Sequence, residues 1–244
     1  MILAIVQARM GSIRFPGKVL KEINSKSLIE ILLYRLSRSV VIDKIILATS
    51  INPENNILTE KVKKLGFEVF RGSEKNVLER YYRAAVPYNP EVVVRITGDC
   101  PIIDPLLVDE VIELFVKNDV DYVSNGDPPT YPDGLDTEVF SFSSLEETFN
   151  HAISPFEREH VTPYLRNNDK FKRLNYFNKT DLASERWTVD NVEDFEVVKC
   201  IINHFAPNLD FTWQDVMDIK KNHPEYFEAN EGIKRDEGSK QAWD

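Results

Sequence analysis

Apolar runs and amphipathic stretches alternate through the first half of the chain. Ile2–Gln7 is a short apolar run that ends in a loop holding Gly11, Pro16 and Gly17. Ser27–Ser39 follows, with Leu28, Ile31, Leu32, Arg35 and Leu36 at helical spacing. Lys44–Thr49 predicts a second buried strand, and Glu54–Leu65 a helix stopped by Gly66. Phe67–Phe70 reads as a third strand, Asn76–Val86 as a third helix and Glu91–Ile96 as a fourth strand. Asp104-Pro105 opens the next helix, Asp as N-cap and Pro at the first position, and Asp121–Ser124 is a fifth strand. Strands apolar on both faces, alternating with helices, predict an α/β fold with a mostly parallel central sheet flanked by helices.

The second half is less regular. Asp127–Gly134 is a Pro/Gly-rich loop. Leu135–Phe142, Lys172–Phe177 and Arg186–Val189 read as strands. Ser144–His151, Pro155–Arg166 at its start, Val192–His204 and Trp213–Asn222 read as helices. The tail after Pro224 is polar and expected to be loosely held. No linker-like stretch and no repeat interrupts the chain, so residues 1–244 are expected to form a single domain whose second half decorates the sheet.

Composition narrows the function. Lys and Arg number 30 against 40 Asp and Glu, a net charge of −10. A broad nucleic-acid clamp needs clustered cations, so this balance argues against nucleic acid as a partner. Two cysteines, Cys100 and Cys200, make no disulfide framework. No CxxC pair or HExxH supports a zinc site. The opening run is too short for a signal peptide, and no apolar run approaches the roughly 20 residues that span a bilayer. A cytoplasmic protein without a membrane partner is expected.

Against that acidic background one loop stands out. Gln7-Ala8-Arg9-Met10-Gly11-Ser12-Ile13-Arg14-Phe15-Pro16-Gly17-Lys18 leaves the first strand. Open parallel sheets bind ligands outside the carboxyl ends of their strands. Gly11 lets backbone amides approach a phosphate, and Arg9, Arg14 and Lys18 can neutralise a polyphosphate. The loop is neither GxxxxGK[ST] nor GxGxxG. Arg95-Ile96-Thr97-Gly98-Asp99-Cys100-Pro101 leaves the fourth strand, where Asp99 can hold Mg²⁺ on a phosphate or simply cap a turn. Trp187-Thr188-Val189-Asp190 offers a second carboxylate, or a helix N-cap. On the far side Tyr131, Asp136, Glu138, Glu157 and His160 are candidates to bind an acceptor, against a solvated hairpin face and a structural histidine.

AxMGSxRxPGK, RxTGDCPxIDP and WTVDxxxD together resemble the cytidylyltransferase family, which includes the CMP-Kdo and CMP-sialic acid synthetases. The closest subgroup is that of the spore-coat polysaccharide SpsF-like proteins. Arg71-Gly72-Ser73 with Val77-Leu78-Glu79-Arg80-Tyr81, Asp121–Asn125, Arg158–Tyr164 and Arg235-Asp236-Glu237-Gly238 extend the match over nearly the whole chain. The loop carries Ile13 and Phe15 where Thr and Leu are usual, and it lacks the form typical of sialic-acid synthetases.

The resemblance implies a Rossmann-like nucleotidyltransferase fold related to GT-A transferases. Residues 1–126 would form the nucleotide-binding half, and 127–244 the acceptor half and a homodimer contact. Ala8, Arg9, Gly11, Ser12, Arg14 and Lys18 would hold CTP, with Thr97 and Gly98 beside them and Arg71, Gly72, Ser73 and Asn76 near base or ribose. Asp99 and Asp190 would be the Mg²⁺ ligands, and Arg14, Lys18 and Asp99 the catalytic group. The implied reaction moves CMP from CTP to an oxygen of a sugar acid or other small acceptor, in surface polysaccharide assembly. Two competing expectations are a GT-A-type glycosyltransferase, for which Asp119-Val120-Asp121 has the DxD spacing, and a non-catalytic nucleotide-binding protein.

Overall fold

The apolar runs of the first half become the centre of one sheet. The computed structural model describes residues 1–235. Its strands are β1 (Ile2–Gln7), β2 (Glu22–Ile23), β3 (Lys26–Ser27), β4 (Lys44–Ser50), β5 (Glu68–Gly72), β6 (Val92–Thr97), β7 (Tyr122–Ser124), β8 (Glu138–Ser141) and β9 (Arg173–Asn175). The helices are α1 (Leu28–Leu36), α2 (Asn56–Lys64), α3 (Val77–Ala85), α4 (Pro105–Lys117), α5 (Phe142–His151), α6 (Pro155–His160), α7 (Pro163–Asn167), α8 (Val192–Phe205) and α9 (Trp213–Asn222).

Seven strands pair in the order β5-β4-β1-β6-β8-β7-β9, and β2 and β3 form a separate hairpin. All neighbours in the large sheet are parallel except at β8, which runs antiparallel to β6 and β7. The fold is therefore α/β with a mostly parallel central sheet. The second half does more than decorate it, since β8 and β9 are strands of the same sheet.

Strand β1 is central, and its alternate side chains feed two cores. Ala4 and Val6 pack with Leu32, Val111 and Val198 of α1, α4 and α8. Leu3 and Ile5 pack with Leu78, Tyr81 and Leu145 of α3 and α5. Asp104 caps α4 as expected, accepting from Leu106 N at 2.9 Å, and its other oxygen accepts from Trp213 N at 2.7 Å. Arg35, read on the apolar face of α1, is buried there. It donates to the carbonyls of Ile103 at 2.9 Å, Phe211 at 2.8 Å and Leu209. Burial draws its guanidinium down to about 10, outweighing the opposing pull of the Asp104 and Asp210 carboxylates.

Three expectations are corrected. Arg186–Val189 forms no strand, its one strand-like contact being an isolated bridge between Arg186 and Asp133 outside the sheet. Pro155–Arg166 is two short helices, broken at buried Val161, whose φ is +70°. Pro224–Asn230 is a 3₁₀ segment that buries Phe227 and Asn230 against α8 and α9, so the chain there is not loosely held. Asp236, Glu237 and Gly238 of the C-terminal motif lie outside the described residues. No helix among the described residues is long and apolar enough to cross a membrane.

Candidate active site

Two adjacent parallel strands bring their carboxyl ends together. Gln7 of β1 lies opposite Thr97 of β6, and Gly98 N donates to Gln7 O at 2.7 Å. A Cβ at Gly98 would lie 2.6 Å from Ala8 Cβ and 2.9 Å from Gln7 O, so only glycine lets the two loops leave the sheet this closely. Gly98→Ala is expected to lower stability by about 1–3 kcal/mol, read by urea denaturation, because backbone and not a flexible side chain must move.

The loop after β1 is folded on itself. Ser12 N and Gly17 N both donate to Met10 O, at 2.9 and 3.1 Å, and Met10 N donates to Asn55 Oδ1 at 2.8 Å. Phe15 is buried edge-on against Phe195, with ring centroids 5.9 Å apart. Ile13 at the loop tip is 95% exposed. This anchoring turns Lys18 inward, where it is 8% exposed.

Lys18 Nζ donates to Asp190 Oδ1 at 2.7 Å and to Asp99 Oδ2 at 3.3 Å. Arg14 Nη2 stands 3.1 Å from Asp190 Oδ2. Burial presses the Lys18 ammonium down, but the two carboxylates outweigh it and hold it above the ordinary lysine value. Burial likewise pushes Asp99 up, and Lys18 with the Thr97 hydroxyl brings it below the usual carboxylate range. Asp99 and Asp190 are tied together through backbone: Val189 N and Thr188 Oγ1 both donate to Asp99 O, at 2.7 and 3.1 Å.

A second layer holds Asp190. Its amide and that of Asn191 donate to Asp194 Oδ2 at 2.9 and 3.0 Å. Arg186 donates to Asp194 at 2.8 and 2.9 Å, to Asp133 at 2.7 Å and to Asp190 at 3.3 Å. Gly134, φ +108°, passes so close that a Cβ would lie 2.5 Å from Thr188 N.

These groups line a cavity of about 640 Å³. Of the residues singled out in the sequence, Ala8, Arg9, Gly11, Ser12, Arg14, Lys18, Thr97, Gly98, Asp99, Asp190, Asp136, Glu138 and His160 line it. Arg71, Gly72, Ser73, Asn76, Tyr131 and Glu157 do not. Arg71 is spent on Ser50 O, Asn56 Oδ1 and Asn52 O. Ser73 Oγ accepts from Asn76 N at 3.0 Å, and Asn76 caps α3. Gly72 ends β5 against Phe70 and Arg80. Tyr131 is buried between Tyr176 and Trp213. Glu157 closes a capping box with Ser154. Asp119 and Asp121 sit at the amino end of β7, away from these loops, Asp119 pairing with Lys172 and Asp121 accepting from Lys172 N.

Arg80, quoted in the sequence only as part of a motif, is one residue to which sequence reasoning gave no role in the site. It lines the cavity, is 1% exposed, and has no carboxylate within ion-pair distance among the described residues. Its Nη1 donates to Ser73 O at 2.9 Å, and its Nε has no partner. Burial holds its guanidinium below the ordinary value. Its spacing with Val77, Tyr81 and Ala84 on one helical face was the available signal: a cation on an apolar stripe.

No group of three or more His, Cys, Asp or Glu that could hold a metal occurs among the described residues. Two carboxylates converging on one cation is nevertheless the donor set that Mg²⁺ takes when phosphate oxygens supply the rest.

A family model described as Cytidylyltransferase matches residues 3–228. The spore coat polysaccharide biosynthesis protein SpsF of Bacillus subtilis is 33% identical over 232 residues, covering 92% of this chain and 95% of that protein. A cytidylyltransferase structure from Leptospira borgpetersenii superposes with a TM-score of 0.91 at 34% identity, covering 96% of this chain and 99% of that one. CMP:2-keto-3-deoxy-manno-octonic acid synthetase complexed with CTP superposes at 0.66 with 14% identity, over 83% of this chain and 98% of that one, a likeness of fold alone.

Proposed function

From the premise that the chain belongs to the cytidylyltransferase family and is a nucleotidyltransferase enzyme, we propose that it transfers CMP from CTP to an oxygen of a sugar acid or similar small acceptor, with release of pyrophosphate. The relative's printed role supports a place in surface polysaccharide or glycoconjugate assembly. We place the reaction in the cytoplasm and take a homodimer as the working unit. The observation that carries the transfer reading is Lys18, a buried ammonium held between Asp99 and Asp190 with Arg14 beside it.

An acceptor oxygen attacks the α-phosphorus in line as pyrophosphate departs. That chemistry asks for positioning and charge more than for covalent help. Lys18 and Arg14 neutralise the charge that grows on the leaving phosphates. The Asp194–Arg186 layer keeps Asp190 from turning away. Asp99 and Asp190 would hold Mg²⁺, which when bound supplies positive charge at the phosphate oxygens and acidity at the attacking oxygen.

Arg80, next to Ser73, has donors to spare, and cytosine offers two acceptors, O2 and N3. Arg80→Met is expected to raise KM for CTP by about tenfold or more, the cost of a charge-assisted hydrogen bond. Its melting temperature should hold or rise, because an unpaired buried charge is lost. The direct test offers CTP, UTP, ATP and GTP with Mg²⁺ and an acceptor panel and assays pyrophosphate. Release favouring CTP is the expected result. Equal use of the other nucleotides would overturn the base assignment, and release of a nucleoside diphosphate from a nucleotide sugar would favour the glycosyltransferase reading.

A further inference from the structure

Between α6 and α7 the backbone takes a conformation that its side chain opposes. Val161 sits at φ +70° and ψ −57° and is fully buried. Thr162 N donates to His160 O across it at 2.8 Å, a γ-turn of the hand that crowds a side chain. The other non-glycine residues at positive φ among the described residues, Asn24, Ser25 and Asn89, are polar and exposed. A buried β-branched residue has no such tolerance, so this turn is strained. Strain of this kind persists only where the surroundings impose it. Here the Thr162 hydroxyl is pinned to Glu138 at 2.7 Å, and Ala152, on the other side of α6, is fully buried.

Between those two anchors α6 is a separate unit. It buries none of its residues and is closed by its own capping box, Ile153 N and Ser154 N donating to Glu157 Oε2 at 3.1 and 3.0 Å. Phe156, Glu159 and His160 line the cavity. The Phe156 ring lies 4.6 Å from that of His160 and Phe156 is 39% exposed. The same cavity is lined by Ile13, exposed at the tip of the phosphate loop. Two apolar side chains on separate elements therefore face one polar cavity, and neither belongs to the two cores.

Resting on the CMP-transfer reading above, we propose that α6 is a lid: on nucleotide binding it swings about Val161 toward the phosphate loop, sets Phe156 against Ile13 and lets the turn at Val161 relax. Release of backbone strain and burial of two apolar surfaces both favour the closed state. Closure shuts out bulk water, so the acceptor oxygen reaches the α-phosphorus without competition from hydrolysis.

The test uses the full chain in a Cys200→Ser background. Nitroxides are placed on Ile153→Cys, whose amide is bonded to Glu157 and moves with α6, and on Ile51→Cys, just past β4; both positions are exposed. Pulsed EPR reads their separation without nucleotide and with CTP and Mg²⁺. A shorter distance with CTP is expected; an unchanged or longer one overturns the lid. Without labels, Ile13→Ser and Phe156→Ser should each weaken CTP binding by about three- to tenfold in calorimetry, and the double variant no more than either alone. Losses that multiply overturn the contact. Val161→Gly relaxes the open turn and so should also weaken CTP binding, with circular dichroism reporting that the chain is folded; unchanged affinity in the folded variant overturns the release of strain on closure. The two surface serine variants keep the test intact if the glycine variant does not fold. Failure of the transfer reading shows separately, as no pyrophosphate release with any acceptor while CTP still shortens the distance.

Discussion

Lys18→Met is expected to lower kcat/KM for CTP by on the order of 10³-fold, the scale of losing one preorganised donor at developing charge. The ammonium serves twice. It would neutralise phosphate charge during transfer, and before any ligand arrives it holds two carboxylates together that otherwise repel. Removing it should therefore also destabilise the free protein, with a defined pH window. The Asp99 carboxyl sits below its ordinary value of 3.8 in the folded state, so its contribution is complete above that value and fades as pH falls further. Lys18 sits above its ordinary 10.5, so its contribution is complete below 10.5 and fades as pH rises through the higher folded value. The stability gap between wild type and Lys18→Met should thus be widest between those two reference values and narrow in acid. Steady-state pyrophosphate assays and urea melts at several pH values read both effects. A variant within about threefold of wild-type kcat/KM would remove Lys18 from the chemistry.

The second large effect belongs to a residue that does not line the cavity. Asp194→Ala is expected to cost about 3–5 kcal/mol, the range for stripping one partner from a buried ion pair. Asp194 has no exposed surface and accepts from Arg186 twice, from the amides of Asp190 and Asn191, and from Asn230 Nδ2 at 2.9 Å. The alanine leaves two amides, a carboxamide and much of a guanidinium without their acceptor. Domains of this size hold roughly 5–15 kcal/mol in all, so the loss approaches the whole margin. Equilibrium urea denaturation measures it, and a loss under about 1 kcal/mol would show that water or neighbours replace the carboxylate. Asp194→Leu combined with Arg186→Met should recover part of the stability but not the turnover, since Asp190 loses its support.

How far this was legible in the sequence depends on what each residue's pattern reports. Buried parallel strands are apolar on both faces, so β1, β4 and β6 were visible as runs, and the cationic loop between β1 and α1 announced itself against an acidic chain. Periodicity carries no direction or order, so nothing in Glu138–Ser141 told of an antiparallel strand inserted between β6 and β7. Arg186–Val189 looks like a strand because Trp187 and Val189 are fully buried, yet its backbone bonds go to Asp133 and Asp99 instead of a ladder. Motif membership located Arg71 and Asn76 but not the aim of their side chains, which local caps and carbonyls consume. Arg80 escaped for the opposite reason: an isolated arginine on a helix reads as surface until its missing partners are seen.

The tie from Val189 and Thr188 to the Asp99 carbonyl has a consequence for synthesis of the chain. Asp99 lies in the first half of the polypeptide and Asp190 in the last quarter, so the two carboxylates meet only once the segment between Arg186 and Asp190 has docked. A nascent chain released before that point carries the cationic loop without its second counter-charge. On the transfer reading, competence for chemistry waits on the last quarter of the chain, and turnover would report that the ribosome has finished most of the molecule.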